Sequence, residues 1–495
     1  MISARNLSIE FGGKTVFDEA DFVINDGEKI GLIGRNGSGK STLFKLILGL
    51  IPPSGGMLNV SEYHKIGYLD QHLKFTMDSA IQEVCSVLEP EREYESWKGE
   101  KILTGLGFTD EQMLMNPSEF SGGYQVKINL AKLLMTEPDI LLLDEPTNYL
   151  DIYSIRWLGD FLKKWQGSLV LITHDRSFMD SLITHTMIIH RNKFRKIAGK
   201  TAKIKEQIAV EEEMYEKARV NEEKERAKTQ ELINRFRAKA SKAAMVQSRI
   251  KMLDKQEVKL KLSDIETLSF DFNYLPYTSG NDVVTVKNLT FGYSPSAILM
   301  KNLSFIVRPD DKVCIIGKNG NGKSTLLQLM AGIIQPISGS IETNSKIELG
   351  YFGQMNVDRL NPENTICEEM ESAQAGVDYS TVRRTCANMM FPGDLAHKKI
   401  SVLSGGEKSR VMLGKILLTP VNMLFLDEPT NHFDMESSES LMNAIKDFKG
   451  AVVMVTHNEY FLHEIATKLI IFDGGKTFAF DGSYESFLKK VGWSE

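Results

Sequence analysis

The chain lacks any run approaching the roughly 18 consecutive apolar residues of a membrane helix. Its opening, "MISARNLSIEFGG", has no apolar core of signal-peptide length. Both absences speak against a membrane-embedded or exported protein. Cysteine is scarce: Cys85, Cys314, Cys367 and Cys386 are scattered without a CxxC pair. Neither a disulfide scaffold nor a zinc site is indicated, and a reducing cytoplasm is the expected compartment. Proline and glycine are missing from Lys200 to Ser263, so nothing there interrupts a helix. Acidic residues are missing from Asn234 to Lys251, "NRFRAKASKAAMVQSRIK", in a chain whose net charge is −6. From Arg235 to Lys261 nine Lys/Arg face only Asp254 and Glu257, a local +7 that leaves −13 for the remainder. Such asymmetry suggests a polyanion touched at one place; a solvated helix face is the plainer reading of the stretch alone.

What is present is ordinary in bulk and repetitive in detail. The 495 residues, 42% hydrophobic and 25% charged, suit a globular chain of two or three domains. "GLIGRNGSGKSTLFKLILGL" opens at Gly31 and "CIIGKNGNGKSTLLQLMAGI" at Cys314. Lys40 and Lys323 lie 283 positions apart, as do Gln71 and Gln354, Ser121 and Ser404, Asp144 and Asp427, and His174 and His457. One offset fits every landmark, so the chain is a duplicated module. The expected division is 1–199, a linker at 200–277, and 278–495. Within the linker, Val246, Ile250, Leu253, Glu257 and Leu260 follow the 4-3-4-3 spacing of a helical seam. Two antiparallel helices with the basic stretch near their turn are expected, with a single continuous rod as the alternative. At about 1.5 Å per residue, an arm of about 35 residues spans roughly 50 Å.

Each module carries the same chemistry. Gly34-Arg35-Asn36-Gly37-Ser38-Gly39-Lys40-Ser41 and Gly317 through Ser324 match GxxxxGK[ST]. Glycines such as Gly320 and Gly322 let the backbone wrap a phosphate with its N–H groups. The following helix points its positive end at the anion, Lys40 or Lys323 reaches the terminal phosphates, and Ser41 or Ser324 is suited to Mg²⁺. The runs "ILLLDEP" and "MLFLDEP" read as parallel strands buried on both faces, presenting Asp144–Glu145 and Asp427–Glu428 at the ligand edge of the sheet. Each Asp would hold Mg²⁺ through water and each Glu would polarise the attacking water. Taken alone, such a pair is as easily a helix cap. His174 and His457 end two further apolar strands, on the same edge, and Gln71 and Gln354 can serve Mg²⁺ or the water. "FSGGYQ" and "LSGGEK" read as a cap and turn, or as a second phosphate grip for a nucleotide held on the opposite module's loop.

The order of phosphate loop, glutamine, Ser-Gly-Gly signature, DEPTN and histidine, found twice, resembles the ATP-binding cassette superfamily over about 400 residues. That resemblance implies an α/β fold of two P-loop cassettes joined by a long α-helical hairpin linker, and ATP with Mg²⁺ as cofactors. It implies nucleotide contacts through Asn36, Thr42, Asn319 and Thr325, with Phe11 and Tyr293 stacking on adenine. Ser121, Gly122 and Gly123 would complete the Lys323 site, and Ser404, Gly405, Gly406 and Glu407 the Lys40 site. Glu145 and Glu428 become the catalytic carboxylates, with His174 and His457 as γ-phosphate sensors. Two cassettes without a membrane segment, "RFRAKASKAAMVQSRIKML", "EPTNYLD" and "EPTNHFD" are similar to the ABC-F group of translational ATPases. Membership implies an ATP hydrolase that binds the ribosomal tRNA exit site and points its linker at P-site tRNA and the peptidyl-transferase centre. It also implies a role there as a translation factor or in antibiotic resistance by ribosome protection. Arg235, Arg237, Lys239, Lys242 and Arg249 would be the RNA contacts. The protein would be a monomer with intramolecular cassette pairing and no obligate subunit.

Two residues depart from the pattern: Tyr124 stands where the signature usually has Glu, and Tyr149 replaces the first His of DEPTNHLD, so unequal sites are expected. Ser121 follows Gln71, and Ser404 follows Gln354, by the same 50 positions, which speaks against an extra arm in the first cassette. Only 38 residues follow His457, which leaves no room for a long C-terminal extension. A fused double ATPase of a membrane importer is the alternative, and it leaves the basic linker without a purpose. Ribosome-recycling cassette proteins need an N-terminal cluster of iron–sulfur cysteines, absent before Cys85. A DNA-repair ATPase would split one cassette around a much longer arm.

Overall fold

The computed structural model describes residues 1–69, 75–148, 150–236, 243–255, 261, 267–277, 282–294, 297–353, 357, 359–431 and 433–493. Gln71, Gln354, Tyr149, Arg237, Lys239 and Lys242 lie outside these residues. The chain divides into two units, Met1–Ala198 with Thr267–Glu495, and Gly199–Glu266.

The first module opens with β1 (Ile2–Phe11), β2 (Lys14–Ile24), β3 (Lys29–Ile33), β4 (Gly55–Val60) and β5 (Ile66–Tyr68). It continues with β6 (Ile140–Asp144), β7 (Ser168–Ile172), β8 (His185–His190) and β9 (Lys193–Ala198). Strands β2-β1-β4 form an antiparallel sheet, and β5-β6-β7-β3-β8-β9 a second sheet, parallel except for β9. Every residue of β6 and β7 is buried, which is why these strands read as unbroken apolar runs rather than alternating ones. Strand β3 sits between β7 and β8, both connected to it out of sequence order. That arrangement opens the ligand crevice at its C-terminal end, where the phosphate loop begins. Helix Lys40–Ile47 then packs Leu43, Phe44, Leu46 and Ile47 between the two sheets.

The second module repeats the plan: β10 (Val284–Ser294), β11 (Ala297–Val307), β12 (Lys312–Gly317), β13 (Ser338–Thr343), β14 (Leu349–Phe352), β15 (Met423–Asp427), β16 (Ala451–Val455), β17 (Lys468–Asp473) and β18 (Lys476–Asp481). Its sheets are ordered β11-β10-β13 and β14-β15-β16-β12-β17-β18, the first module's order shifted by nine strands. Residues just ahead of β10 also belong to this core, where Leu268, Phe270 and Phe272 are buried. So does Ile152, a first-module residue with no exposed surface. No helix of the described residues is long and apolar enough to cross a membrane.

The unit between the modules holds helix Thr201–Phe236 and helix Ala243–Lys255. The first is polar nearly all round, and Glu213–Lys217 and Arg219–Glu223 ion pairs at i,i+4 support it. Ile233 and Leu253 bury each other's side chains. Twenty residues of continuous helix would hold them about 30 Å apart, so the chain must fold back between them, as a hairpin and not as a rod. Arg235 lies next to that contact, while Ile250, on the expected seam, is 38% exposed.

Candidate active sites

Backbone angles and close approaches shape the phosphate loops. Gly39 and Gly322 precede their helices in the left-handed region, with φ of 102° and 95°. A Cβ on Gly39 would sit 2.4 Å from Val16 Cγ1, and one on Gly317 2.4 Å from the Phe472 carbonyl oxygen. Gly37 and Gly320 also have positive φ, and a Cβ on either would meet nothing within 4 Å. Backbone conformation therefore demands glycine there, and crowding demands it at Gly39 and Gly317.

Lys40 Nζ donates to the Gly34 and Arg35 carbonyls at 2.7 and 3.1 Å. Lys323 Nζ does the same with Gly317 and Lys318, at 3.0 and 2.9 Å. Burial lowers the pKa of both, to about 8 for Lys323. Ser41 Oγ donates to Asp144 Oδ2 at 2.7 Å, and Ser324 bonds Asp427 likewise. Burial raises both aspartates. Buried lysines with a weakened hold on their protons beside carboxylates that resist ionisation suit a polyphosphate and a divalent cation, whose charges would offset the effect of burial on both. Thr42 lines the first cavity, and Thr325 accepts or donates a 3.3 Å bond with the Tyr293 hydroxyl. Phe11 and Tyr293 are half or more exposed.

Glu145 and Glu428 follow β6 and β15 with left-handed φ of 52° and 47°, costly for a non-glycine residue. Each amide donates to the end of the neighbouring strand, Glu145 to Ile172 O at 2.9 Å and Glu428 to Val455 O at 3.0 Å. That turn aims both carboxylates at histidines. His174 Nε2 lies 2.9 Å from Glu145 Oε1, and His457 Nε2 lies 3.5 Å from Glu428 Oε1 and 3.1 Å from Asn319 Oδ1. Burial pushes Glu428 up to about 8 and holds His457 well below its ordinary value. Glu145 Oε1 and Oε2 and Glu428 Oε1 are buried without a hydrogen-bond partner among the described residues, the histidines lying close to them without bonding them, which suits acceptors for a water. The donor set fits ATP with Mg²⁺: Ser41 with Asp144, and Ser324 with Asp427, would hold the cation.

The two modules complete each other. A cavity of about 1140 Å³ is bounded by Asn36, Lys40 and Glu145 of the first module and by Ser404, Gly405, Gly406 and Glu407 of the second. Gly122, of the first module's own signature, reaches the same cavity. Ser404 and Glu407 cap each other, Ser404 Oγ accepting from the Glu407 amide at 3.3 Å and Glu407 Oε2 accepting from the Ser404 amide at 2.8 Å. Ser121 has no such side-chain cap. At the Glu407 position Tyr124 stacks on Phe120, edge-on to Phe108, with Lys127 Nζ 5.0 Å from its ring centre. Gly123 begins the same helix as Gly122.

Four residues joining the modules went unread in the sequence as functional. Asp151 Oδ2 accepts from the Asn319 amide at 3.2 Å, and Asp434 Oδ2 from the Asn36 amide at 3.1 Å. Each loop is thus gripped by the aspartate ending the other module's EPTN motif. Lys127 Nζ donates to Asp151 Oδ2 at 3.1 Å, with both side chains buried, and Arg410 lines the first cavity at the corresponding position. The 283-residue offset pairs Asp151 with Asp434 and Lys127 with Arg410, which could have flagged the residues but not the contacts they make.

The family model described as "ABC transporter" matches residues 17–148 and 300–431, and a second of the same description matches 187–272. The ABC transporter ATP-binding protein YfmM of Bacillus subtilis is 33% identical over 94% of this chain and 97% of its own length. YheS of Escherichia coli K12, an ATP-binding protein, is 32% identical over 98% and 81%. ABC transporter F family member 3 of Arabidopsis thaliana is 29% identical over 99% and 75%. Among solved structures, the archaeal ribosome recycling factor aABCE1 superposes with a TM-score of 0.67 at 18% identity, over 98% of this chain and 92% of that one, a likeness of fold.

Proposed function

This chain belongs to the ATP-binding cassette superfamily, in its ABC-F group, and hydrolyses ATP with Mg²⁺; on that premise we propose that it is a cytoplasmic translational ATPase. Closed on ATP, it binds the ribosomal tRNA exit site and directs its basic linker at P-site tRNA and the peptidyl-transferase centre. Hydrolysis lets the cassettes separate and the protein leave. Its role is that of a translation factor or of ribosome protection against antibiotics. It works as a monomer whose cassettes pair within one chain.

The bound nucleotide and cation supply the phosphoanhydride and the neutralisation of its charge. The chain's own groups do the rest. Lys40 and Lys323 bind terminal phosphate oxygens, whose negative charge would offset the effect of burial on both ammonium groups. Glu145 and Glu428, held in strained turns, orient water on the open side of the phosphate. His174 and His457, beside those carboxylates, sense the γ-phosphate, and Gln71 and Gln354 serve the cation or the water. The signature residues opposite enclose each nucleotide, so binding energy is realised only when the cassettes meet.

The observation that carries the ribosome reading is the hairpin closed by Ile233 and Leu253, with Arg235 and Arg249 near its fold-back and no acidic residue between them. A cationic stretch of that kind suits phosphate and base contacts in RNA. The archaeal chain of the same fold is a ribosome recycling factor. The test is sedimentation of the Glu145→Gln/Glu428→Gln protein with ribosomes, with and without ATP. ATP-dependent co-sedimentation is expected. Protein that binds ATP yet stays off ribosomes and collects with membranes would replace this reading with the importer ATPase.

A further inference from the structure

The 283-residue offset gives every residue on the contact face of one cassette a counterpart on the other. Two such positions meet twice across that face. On one side Arg156 Nε donates to Glu459 Oε1 at 2.6 Å, and its guanidinium also donates to the buried Tyr484 hydroxyl at 3.0 Å. On the other side Arg176 Nη1 lies 3.5 Å from Glu439 Oε1. Arg156 and Glu439 are counterparts, and so are Arg176 and Glu459. The first cassette therefore carries a cation at both positions and the second an anion at both.

A pseudo-twofold contact needs no such segregation. Two identical cassettes meeting in the same way would set each position against the other of the same sequence. A pair of first cassettes would oppose Arg to Arg twice, and a pair of second cassettes Glu to Glu twice. Like charges opposed at an interface cost enough to reject a partner. None of the four side chains is more than 36% exposed, so salt screens them only in part. Trp493 lies 5.8 Å from the Arg156 guanidinium. Tyr460 lies 6.0 Å from that of Arg176, with Asp180 Oδ2 at 3.8 Å. Nearby Arg35 and Lys318 are counterparts of the same sign, meeting Glu436 and the Tyr153 ring; a pair of second cassettes would set Lys318 against Glu436 twice, which offsets part of its Glu–Glu repulsion but gives nothing to a pair of first cassettes.

We infer that Arg156, Arg176, Glu439 and Glu459 form a polarity code that lets a first cassette close only on a second, so that the twin cassette of another copy of this chain is refused. The code rests on the closure step proposed above and is independent of the ribosome.

The test uses the full chain with one fluorophore on each cassette, reading ATP-dependent closure by energy transfer. Arg156→Glu/Arg176→Glu recreates within one chain the charges of two second cassettes, and Glu439→Arg/Glu459→Arg those of two first cassettes. Each double variant should need about tenfold more ATP for half-closure, or fail to close. All four changes together invert the polarity and should return the midpoint to within about threefold of the original. Arg156→Gln/Arg176→Gln should fall between, with the gap narrowing as salt rises. Closure of either double variant at the unmodified protein's ATP concentration refutes the code. So does a quadruple variant no better than the doubles, or a Gln variant as impaired as the Glu one. An unmodified chain that never closes with ATP would overturn the closure step instead.

Discussion

Replacing Glu428 with Gln should stabilise the nucleotide-free protein at alkaline pH and change it little in mild acid. In the folded chain burial holds the Glu428 proton until about pH 8, against 4.5 for an unperturbed glutamate. Between those values the folded state binds more protons than the unfolded one, so stability falls as pH rises, by about 1.4 kcal/mol per pH unit. The loss is complete above pH 8, at a ceiling of about 5 kcal/mol. The side chain keeps 24% of its surface open, and relaxation around buried charge usually relieves half or more of such a cost, leaving about 2 kcal/mol. Glutamine has nearly the same shape and does not titrate.

The assay is thermal unfolding without nucleotide at pH 5.5, 7.0 and 8.5. For a cassette of about 200 residues, about 2 kcal/mol corresponds to roughly 4 to 8 °C. The variant should lead by that margin at pH 8.5 and by a third of it or less at pH 5.5. Lys323 loses its proton in the same range, which removes a neighbouring cation and widens the gap at alkaline pH. A difference that is flat with pH, or that shrinks as pH rises, would refute the account of Glu428 as a carboxyl kept protonated by its site.

The buried Lys127–Asp151 pair should behave as a unit. Lys127→Met strands the Asp151 carboxylate, held near pKa 2 in the pair, and should cost about 3 to 5 kcal/mol, while adding Asp151→Asn should recover most of it. Denaturant unfolding of the single and double variants checks this, and a single variant within about 1 kcal/mol of the parent would contradict it. Reversing Arg235, Arg237 and Lys239 to Glu should weaken salt-sensitive ribosome binding and the effect on translation, with intrinsic ATP turnover intact. Unchanged action in an in vitro translation assay would remove the linker from the mechanism.

The parts legible in the sequence are those whose physics is local. β6 and β7 announce themselves because burial on both faces requires every residue to be apolar, and the phosphate loops because glycine is needed where φ is positive and a Cβ would collide. Duplication made even weak signals readable: a lone histidine says little, whereas His174 and His457 at one offset, each beside the glutamate that follows a buried strand, mark equivalent positions. Tyr124 could be noticed as a departure. Only packing shows what it does, replacing the mutual cap of Ser404 and Glu407 with an aromatic cluster beneath Lys127.

Asp151 and Asp434 mark where reading from sequence stops. Each begins a helix, and Asp151 Oδ1 accepts from the Ser154 amide at 3.0 Å as Asp434 Oδ1 does from Ser437 at 2.8 Å. A cap of that kind accounts for the aspartate fully, by itself. The second oxygen of the same carboxylate reaches the phosphate loop of the other cassette, some 168 residues away for Asp151 and 398 for Asp434. No periodicity or motif spacing encodes that contact, because it depends on how two finished domains meet. The same reasoning covers the Arg156–Glu459 and Arg176–Glu439 pairs. Within either cassette they are unremarkable surface charges, and their meaning lies in the comparison of the two copies and in the face they share. A duplicated chain thus stores its catalytic chemistry in what the copies have in common, and its pairing in how they differ.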